Sequence, residues 1–241
     1  MAEQRPIDRS EAAGETERVR LRYERRKAAI SMSIYNPLNP SVYMGQQEKE
    51  RALIRWIQQA DLAPVHDRRV LEVGCGSGGN LLQLMKLGFL PQNLVGNELL
   101  EDRAELAGTL LPSAIRIIKG NALDLDLPEE SFDIVLQSTV FSSILDDKFQ
   151  GKLADKMWSL VKPGGGVLWY DFIYNNPKNS DVRGVPIRSI RELFPAGEFI
   201  TWRITLAPPI SRIVTKIHPC LYTVFNSISL FRTHVLCWVR K

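Results

Sequence analysis

The chain has 241 residues, of which 44% are hydrophobic and 24% are charged, and its net charge is +4. These values are typical of a soluble globular protein, and a small, scattered basic excess does not indicate a nucleic-acid surface. The three cysteines have neither CxxC nor zinc-site spacing, which predicts no disulfide framework and no metal site and favours a reducing cytoplasm. No apolar run approaches the roughly 20 residues of a membrane-spanning helix.

Residues 1–62 are predicted to form a polar tail and a helical cap. Residues 16–30 are rich in helix formers and in arginine, so they predict either a solvated helix or a basic face for an anionic substrate or membrane. Asn-Pro pairs and tyrosines predict a loop over residues 31–45, and an apolar stripe predicts a helix over residues 46–60. Residues 63–241 are predicted to form the main domain.

A short apolar run followed by three alternating glycines stands in the first third of the chain. Residues 70–73 contain Glu72 among apolar neighbours, and Gly74, Gly76 and Gly78 follow. Leucines then recur at helical spacing, so the stretch predicts strand, tight turn and helix, the opening unit of a nucleotide-type fold. Glycine allows a ligand to press on the backbone, and the free amides of a helix start favour an anionic group.

Predicted strands and helices alternate through the rest of this domain. Such alternation predicts a doubly wound, parallel sheet. A turn over residues 163–166 is expected before the fifth strand. Further strands are predicted at residues 93–97, 114–118, 132–136, 167–172, 199–206 and 233–240, and helices at residues 99–110 and 149–160.

An acidic residue at the end of the second strand narrows the choice of ligand. Glu98 follows the glycines by about twenty residues, where a carboxylate accepts hydrogen bonds from both ribose hydroxyls. Gly74, Gly76 and Gly79 also satisfy GxGxxG. These residues alone therefore leave a dinucleotide open beside other adenosine-containing cofactors.

Four motifs, taken in order, resemble those of the class I S-adenosylmethionine-dependent methyltransferases, in particular the small-molecule branch (type 11, ubiquinone-methyltransferase-like). The resemblance covers residues 69–172. It implies S-adenosylmethionine as the cofactor, no metal, and a last strand that runs antiparallel to its neighbours. The motifs lie at residues 70–78, 95–99, 120–135 and 160–166.

The resemblance also implies individual roles for the cofactor residues. Glu72 would hold the methionine moiety, Glu98 would bind the ribose, and Leu99 would pack on adenine. Asn121 stands where the family often has Asp beside the adenine amino group, so its amide would accept that hydrogen bond without charge assistance. The implied cofactor site comprises Glu72, Gly74, Gly76, Gly78, Glu98, Leu99, Asn121, Ala122 and Gln137.

Three residues are candidates for catalysis. Similar enzymes often carry a His pair where Ser142 and Ser143 stand here, so no histidine role is expected at that place. Asp171 and Tyr174 follow the fifth strand, where such sheets bind ligands, and each has a structural alternative. His218 is a third candidate base if its segment folds over the cleft, and the alternative is a capping or core histidine.

The residues expected near the acceptor come from several loops. Two interpretations of Arg183 stay open: it pairs with a phosphate or carboxylate of the acceptor, or it lies on a solvated helix face. Tyr174 and Asn175 suit a hydroxyl-bearing substrate or a turn. The predicted acceptor site comprises Tyr35, Tyr43, Phe141, Tyr174, Asn175 and Arg183.

An apolar insertion, residues 207–231, separates the last two predicted strands. Apolar residues at three- and four-residue spacing predict two short helices that meet near Pro219. Two alternatives stay open. The insertion is either a lid packed on the sheet edge or an apolar surface for a lipid-linked acceptor that touches a membrane through its basic flanks.

The sequence therefore predicts methyl transfer to a small molecule, at an oxygen of a sugar, lipid-linked or quinone-like acceptor. Methylation of a protein or nucleic acid is an alternative, although it requires a broader basic surface. A non-catalytic cofactor-binding module and a dehydrogenase are the others. The expected location is the cytoplasm, with or without peripheral contact with a membrane, and no pattern fixes the oligomeric state.

Overall fold

The computed structural model describes residues 9–29, 36–177 and 179–241. These residues form strands β1 Val70–Val73, β2 Leu94–Glu98, β3 Arg116–Lys119, β4 Phe132–Ser138, β5 Val161–Phe172, β6 Glu198–Leu206 and β7 Arg232–Arg240. They also form helices α1 Arg9–Ala29, α2 Pro40–Gln59, α3 Gly79–Lys86, α4 Glu101–Leu110, α5 Asp147–Leu160, α6 Ile187–Leu193, α7 Pro208–Ile217 and α8 Leu221–Asn226.

The strands of the described residues form one seven-stranded sheet in the order β3-β2-β1-β4-β5-β7-β6. Neighbouring strands from β3 to β5 pair in parallel, whereas β7 is antiparallel to both β5 and β6. The predicted doubly wound sheet with an antiparallel last strand and N-terminal helices is thereby confirmed. The strand order reverses between β1 and β4, and such sheets bind ligands outside the carboxyl ends of the strands at this point.

Apolar side chains cover both faces of the sheet. The central strands β1 and β4 are almost continuously apolar because both of their faces are buried. On one face, Trp169 of β5 packs against Phe141 and Phe194. On the other face, Trp238 of β7 packs against Trp56 of α2. Helix α5 covers the first face, and helices α2, α3 and α4 cover the second.

Three predicted boundaries are wrong, two of them at segments that contain proline. Helix α1 begins at Arg9 rather than at residue 16, because residues 11–13 are helix formers as well. Helix α2 begins at Pro40 rather than at residue 46, because the Asn39 side chain caps its first turn and proline is tolerated at the first helical position. Residues 163–166 belong to strand β5 instead of forming a separate turn, and the pairing with β4 shifts its register there. Pro and Gly signal both a loop and these special positions within elements, so the pattern alone does not separate them.

The insertion folds into two helices, α7 and α8, with Pro219 between them, as predicted. A buried carboxylate of α2 holds the insertion in place. Oε2 of Glu48 accepts a hydrogen bond from the Tyr222 hydroxyl at 2.6 Å. Its Oε1 accepts from Asn226 Nδ2 at 2.7 Å and from the backbone N–H of Thr205 at 2.9 Å. One side chain thus joins α2, α8 and the edge strand β6.

Candidate active site

A cavity lies between helix α1 and the carboxyl ends of β1, β2 and β4. The sheet and its loops contribute Val73, Gly74, Asn97, Glu98, Leu99, Asn121, Ala122 and Val140. Helix α1 contributes Thr16, Val19 and Tyr23, and the segment around α5 contributes Ser143, Ile144, Phe149 and Leu153. Five residues of the predicted cofactor site therefore line one cavity.

The glycines of the turn after β1 differ in their surroundings. Gly74 has φ +68°, and a Cβ at this position would stand 2.4 Å from Cγ2 of Val140, so a larger residue would clash. Gly76 has φ +57° and no heavy atom within 4 Å of an added Cβ, which leaves room for a ligand beside the backbone. Gly78 is the N-cap of α3. Packing and a left-handed backbone therefore both favour glycine at position 74, whereas at Gly76 the backbone alone does so and the space beside it is open.

Glu98 presents a fixed carboxylate to the cavity. Its Oε2 accepts the backbone N–H of Gly76 at 2.7 Å, and its Oε1 accepts the backbone N–H of Leu100 at 2.8 Å. A carboxylate has about four acceptor sites, so each oxygen can also accept a ligand hydroxyl. The arrangement suits a diol such as ribose.

The predicted adenine side is partly engaged by the protein itself. Oδ1 of Asn121 accepts the backbone N–H of Leu123 at 3.2 Å and caps a short turn. If an adenine amino group donated a hydrogen bond to Asn121, it would therefore use the second lone pair of this oxygen. Leu99 and Ala122 supply apolar contact area at the same wall of the cavity.

A polar cluster around Glu72 lies at the same edge of the sheet. Oε1 of Glu72 accepts a hydrogen bond from Asn80 Nδ2 at 2.5 Å, and its Oε2 is buried without a hydrogen-bond partner among the described residues. Nζ of Lys49, on α2, donates to Asn80 Oδ1 at 2.9 Å and to Ser138 Oγ at 3.1 Å. The same Nζ lies 4.2 Å from the ring centroid of Tyr170. A carboxylate with one free oxygen and a lysine thus share Asn80.

Burial shifts the titration of both charges. It raises the pKa of Glu72, and the hydrogen bond from Asn80 and the charge of Lys49 partly offset that shift. Burial also lowers the pKa of Lys49, because the charged form loses its hydration. A ligand that brought an ammonium group to Glu72 and a carboxylate to Lys49 would replace the lost hydration.

Helix α1 forms the roof of the cavity and is attached by a buried ion pair. Nη1 of Arg22 donates to Glu15 Oε1 and to the carbonyl oxygen of Ser143, each at 2.9 Å. Glu15 also accepts the backbone N–H of Leu145 at 3.0 Å. Both charged side chains are buried. The roof is therefore joined directly to the loop that follows β4.

Comparison with known proteins identifies the central part of this fold. Residues 70–165 match a family model described as a methyltransferase domain, a segment that includes the glycine turn, Glu98 and Asn121. The chain contains a class I methyltransferase domain. The resemblance inferred from the four sequence motifs is thereby confirmed.

Relatives of the methyltransferase domain differ in the acceptors that their names describe. A fatty-acid O-methyltransferase of Mycolicibacterium smegmatis is 35% identical over 116 residues, which are 45% of this chain and 39% of the relative. A tRNA N(3)-cytidine methyltransferase METTL2 of Gallus gallus is 29% identical over 112 residues, which are 43% of this chain and 30% of the relative. The matching segment thus spans less than half of either relative.

The fold extends beyond the matched domain. A crystal structure of a SAM-dependent methyltransferase from Archaeoglobus fulgidus has a TM-score of 0.56 and 16% identity, and the match covers 83% of this chain and 99% of that one. At this identity the likeness describes the fold. In the described ranges, no group of His, Cys, Asp or Glu side chains could hold a metal ion, and no helix has the length and hydropathy to cross a bilayer.

Asp171, a predicted catalytic residue, follows the methyltransferase domain in β5 and is fully buried. Its Oδ2 accepts the backbone N–H of Ser142 at 3.1 Å, and its Oδ1 accepts the backbone N–H of Phe172 at 2.9 Å. Burial raises the pKa of Asp171 to about 7, although the hydrogen bonds with Ser142 oppose this shift. These contacts match the structural alternative, in which the carboxylate fixes the loop after β4.

Gln137 and Phe141 are also fully buried in the methyltransferase domain. Oε1 of Gln137 accepts the backbone N–H of Val140 at 3.1 Å, and its Nε2 donates to the carbonyl oxygen of Tyr170 at 3.4 Å. The ring centroid of Phe141 lies 4.4 Å from that of Trp169. Neither side chain is part of the cavity lining. Both support the loop that carries Val140 into the cavity.

Tyr174, Asn175 and Arg183 lie on the segment between β5 and α6, and each has a protein partner. The Tyr174 hydroxyl accepts a hydrogen bond from Arg203 Nη2 at 2.7 Å, while about half of the side chain stays exposed. Oδ1 of Asn175 accepts a backbone N–H of the same segment at 2.9 Å. Arg183 forms an ion pair with Asp147. An anion would have to displace Asp147 before Arg183 could clamp it.

The other predicted site residues are dispersed. Tyr43 lies on helix α2 rather than in a loop, and it is exposed. His218 follows α7, is exposed, and its Nδ1 accepts the backbone N–H of Cys220 at 3.2 Å in the turn between α7 and α8. Tyr35 lies outside the described residues. Neither Tyr43 nor His218 lines the cavity.

Two parts of the site were not expected from the sequence, the Lys49–Asn80 pair and the roof supplied by α1. Lys49 had a visible signal. It precedes Leu53 by four residues and Trp56 by seven, so it falls on the buried stripe of α2. A lysine on the buried stripe of a helix indicates a functional charge or a charge that is paired inside the fold, because unpaired lysine is almost never fully buried.

Proposed function

We propose that the chain transfers a methyl group from S-adenosylmethionine to an oxygen of a small, lipid-like acceptor. The observation that carries this proposal is the Oε2 atom of Glu72, which is buried without a hydrogen-bond partner among the described residues. Glu72 and Lys49 also both form hydrogen bonds with Asn80. A free carboxylate oxygen and a cation at one sheet edge match the ammonium and carboxylate of an amino acid. Glu98, at the end of the neighbouring strand β2, matches the ribose hydroxyls.

The residues present fit this cofactor from end to end. Glu72 would hold its ammonium group, Lys49 would hold its carboxylate, and Glu98 would hold its ribose. Leu99 and Ala122 would pack against adenine. Once bound, S-adenosylmethionine supplies a methyl group on a cationic sulfur, which a nucleophile displaces in line. The protein then has to position the acceptor and exclude water, and helix α1 supports both tasks as a roof.

We propose that the acceptor oxygen belongs to a carboxylate group. Among the described residues, the predicted bases are engaged elsewhere: Asp171 by backbone N–H groups, Tyr174 by Arg203, and His218 by the backbone N–H of Cys220. A hydroxyl acceptor needs a base to remove its proton. A carboxyl group, with an ordinary pKa of about 4.3, is already ionised at pH 7 and needs none. The name of the fatty-acid O-methyltransferase relative supports the same acceptor class.

The tRNA methyltransferase relative favours a second candidate, a nucleic-acid acceptor. The arginines of α1 are the strongest basic feature for such a partner. Four of them are already paired: Arg18 and Arg22 with Glu15, Arg20 with Glu17, and Arg25 with Asp181. Pairing reduces the charge available for phosphate contacts, which provide most of the affinity for nucleic acids. A small acceptor is therefore the better supported of the two.

Two experiments test the proposal. Isothermal titration with S-adenosylhomocysteine, S-adenosylmethionine and NAD should give binding of the first two alone. When labelled S-adenosylmethionine and the protein are incubated with a total cell extract, the label should enter the organic phase as a methyl ester. Mild alkali should then release the labelled methyl group from that ester. Label in RNA or protein would contradict the acceptor class. Binding without any transfer would identify a non-catalytic module, and NAD binding alone would identify a dehydrogenase.

The proposal extends to the organisation of the chain. We propose that residues 63–241 are the catalytic unit and that residues 1–62 are its cap, because α1 roofs the cavity and α2 supplies Lys49. We further propose that the protein works in the cytoplasm at the surface of a membrane, where a lipid-like acceptor is found.

A further inference from the structure

The helical insertion leaves an apolar surface uncovered. Four of the five most exposed large apolar side chains in the described part of the chain belong to it. They are Ile217 at 74%, Leu230 at 73%, Ile213 at 65% and Val224 at 58% exposure, and Ile228 follows at 48%. These five side chains are called the 213–230 surface below. Single exposed apolar residues are normal, whereas such a local concentration marks an interaction site.

The exposure does not result from loose packing. Val214 and Tyr222 are buried with Leu206 in a small core of their own. The Tyr222 hydroxyl is tied to Glu48 of α2 at 2.6 Å. The insertion therefore has an inner side that is fixed to the fold and an outer side, the 213–230 surface, whose side chains are 48–74% exposed.

Positive charges border the surface. Arg212 and Lys216 precede Ile213 and Ile217 by one residue each, so the two charges lie one helical turn apart along α7. Both side chains are exposed. No Asp or Glu occurs in residues 199–241. The surface thus combines exposed apolar side chains with positive charges and lacks acidic residues in its own segment.

A further exposed apolar residue stands before helix α2. Leu38, at 89% exposure, lies two residues before the first residue of α2. The first turn of α2 contacts α7, since the Ser211 hydroxyl donates to the carbonyl oxygen of Ser41 at 3.5 Å. Leu38 therefore lies three residues along the chain from a contact between α2 and the insertion.

We propose that the 213–230 surface docks on an anionic lipid bilayer. An amphipathic helix with apolar side chains on one side and Lys or Arg beside them lies in the plane of a membrane interface. Each positive charge strengthens the attraction to an anionic leaflet. A second copy of the chain fits less well, because a two-fold contact would bring the Arg212 and Lys216 side chains of both copies together. The inference does not depend on methyl transfer.

Vesicle flotation of the full chain tests the apolar part. The chain should float with phosphatidylcholine vesicles that contain about one third phosphatidylglycerol and stay behind with phosphatidylcholine alone. Ile213→Ser combined with Ile217→Ser should weaken binding roughly tenfold or more. Leu106→Ser combined with Leu110→Ser is the matched control, because these leucines lie one turn apart on α4 at 49% and 54% exposure. The control should bind like the unchanged chain.

The charged border has its own variant. Arg212→Gln combined with Lys216→Gln should weaken binding to the anionic vesicles roughly fivefold for each removed charge. Thermal unfolding should be unchanged in all three double variants, since every substituted side chain is exposed. That measurement separates a lost docking surface from a lost fold.

Several results would overturn the proposal. One is that the unchanged chain does not float. Another is that the Ile213→Ser/Ile217→Ser variant floats as well as the unchanged chain. A third is that the α4 control loses as much vesicle binding as that variant. Equal binding to neutral and anionic vesicles would reject the role of the charges. A dimer in light scattering that the same isoleucine variant dissociates, without flotation, would assign the surface to a second copy.

Discussion

Lys49→Met is the substitution that most directly tests how the site holds its cofactor. Methionine keeps most of the unbranched stem that packs beside Tyr170 but removes the ammonium group. If Lys49 binds the cofactor carboxylate, the variant should lose affinity for S-adenosylhomocysteine. It should bind 5′-methylthioadenosine as before, because that nucleoside lacks the amino-acid moiety. The pair of ligands therefore isolates one end of the site.

The expected magnitude follows from what Lys49 does in the free protein. A hydrogen bond to a charged group contributes roughly 1.5–3 kcal/mol, or about a 10- to 150-fold change in affinity. Nζ already makes two hydrogen bonds, to Asn80 Oδ1 at 2.9 Å and to Ser138 Oγ at 3.1 Å. Binding would exchange these neutral partners for a charged one, so the lower part of the range applies. We expect about a 10- to 30-fold loss.

The measurement is isothermal titration of both ligands with the unchanged chain, Lys49→Met and a control. Lys86→Met is a suitable control, because Lys86 lies on α3, is 63% exposed and pairs with Glu50 of α2 at 3.3 Å. It should change neither affinity by more than about twofold. The Lys49 variant should still fold, since Glu72 can take up a proton once the neighbouring cation is absent.

Two results would refute the assignment of Lys49. Equal losses for S-adenosylhomocysteine and 5′-methylthioadenosine would indicate a general distortion of the cavity rather than a lost carboxylate contact. Unchanged affinity for both, with a raised KM for the acceptor, would place Lys49 at the acceptor instead.

Three further predictions concern the groups around the cavity. The affinity for S-adenosylhomocysteine, titrated at each pH, should rise as the pH is raised from about 6 to about 7.5. Burial raises the pKa of Glu72 to about 7, and the ligand ammonium prefers the ionised carboxylate. A Glu72→Gln variant that keeps this rise would contradict the assignment. Glu48→Gln should lower the free energy of unfolding by about 1–3 kcal/mol in urea, because three charged hydrogen bonds, from α8 and β6, are weakened. Glu50→Gln, with a side chain that is 31% exposed and pairs with Lys86, should lower it by about 0.5 kcal/mol or less. Arg22→Met should increase amide exchange in α1 and weaken ligand binding, because the buried Glu15 loses its buried partner and keeps only the half-exposed Arg18. Arg20→Met, with a half-exposed side chain, should do neither.

The sheet and the glycine turn could be predicted because their causes are local. A strand buried on both faces must be apolar throughout, as Phe132–Ser138 largely is. The left-handed backbone at Gly74 and Gly76 strongly favours glycine. Glu98 could be placed because it ends a strand and parallel strands end at one edge. Spacing along the chain was enough for each of these.

The roof and the acceptor side could not be predicted, because their causes are distant in sequence. Arg22 resembles every other arginine of α1 until the fold brings Ser143 and Leu145 beside Glu15. Asp171 resembles a catalytic carboxylate until the loop after β4 surrounds it with backbone N–H groups. Such pairings depend on the tertiary fold, which no local pattern of residue types encodes.

Helix α2 connects the two surfaces on which the proposals rest. Glu48 and Lys49 are adjacent, so their side chains leave the helix about 100° apart. Glu48 turns to Tyr222 and Asn226 of the insertion, and Lys49 turns to Asn80 beside Glu72. Both contacts are hydrogen bonds to charged groups and resist sliding of the helix. If the insertion docks on a bilayer, the position of α2 therefore fixes the cofactor end of the site relative to the membrane surface.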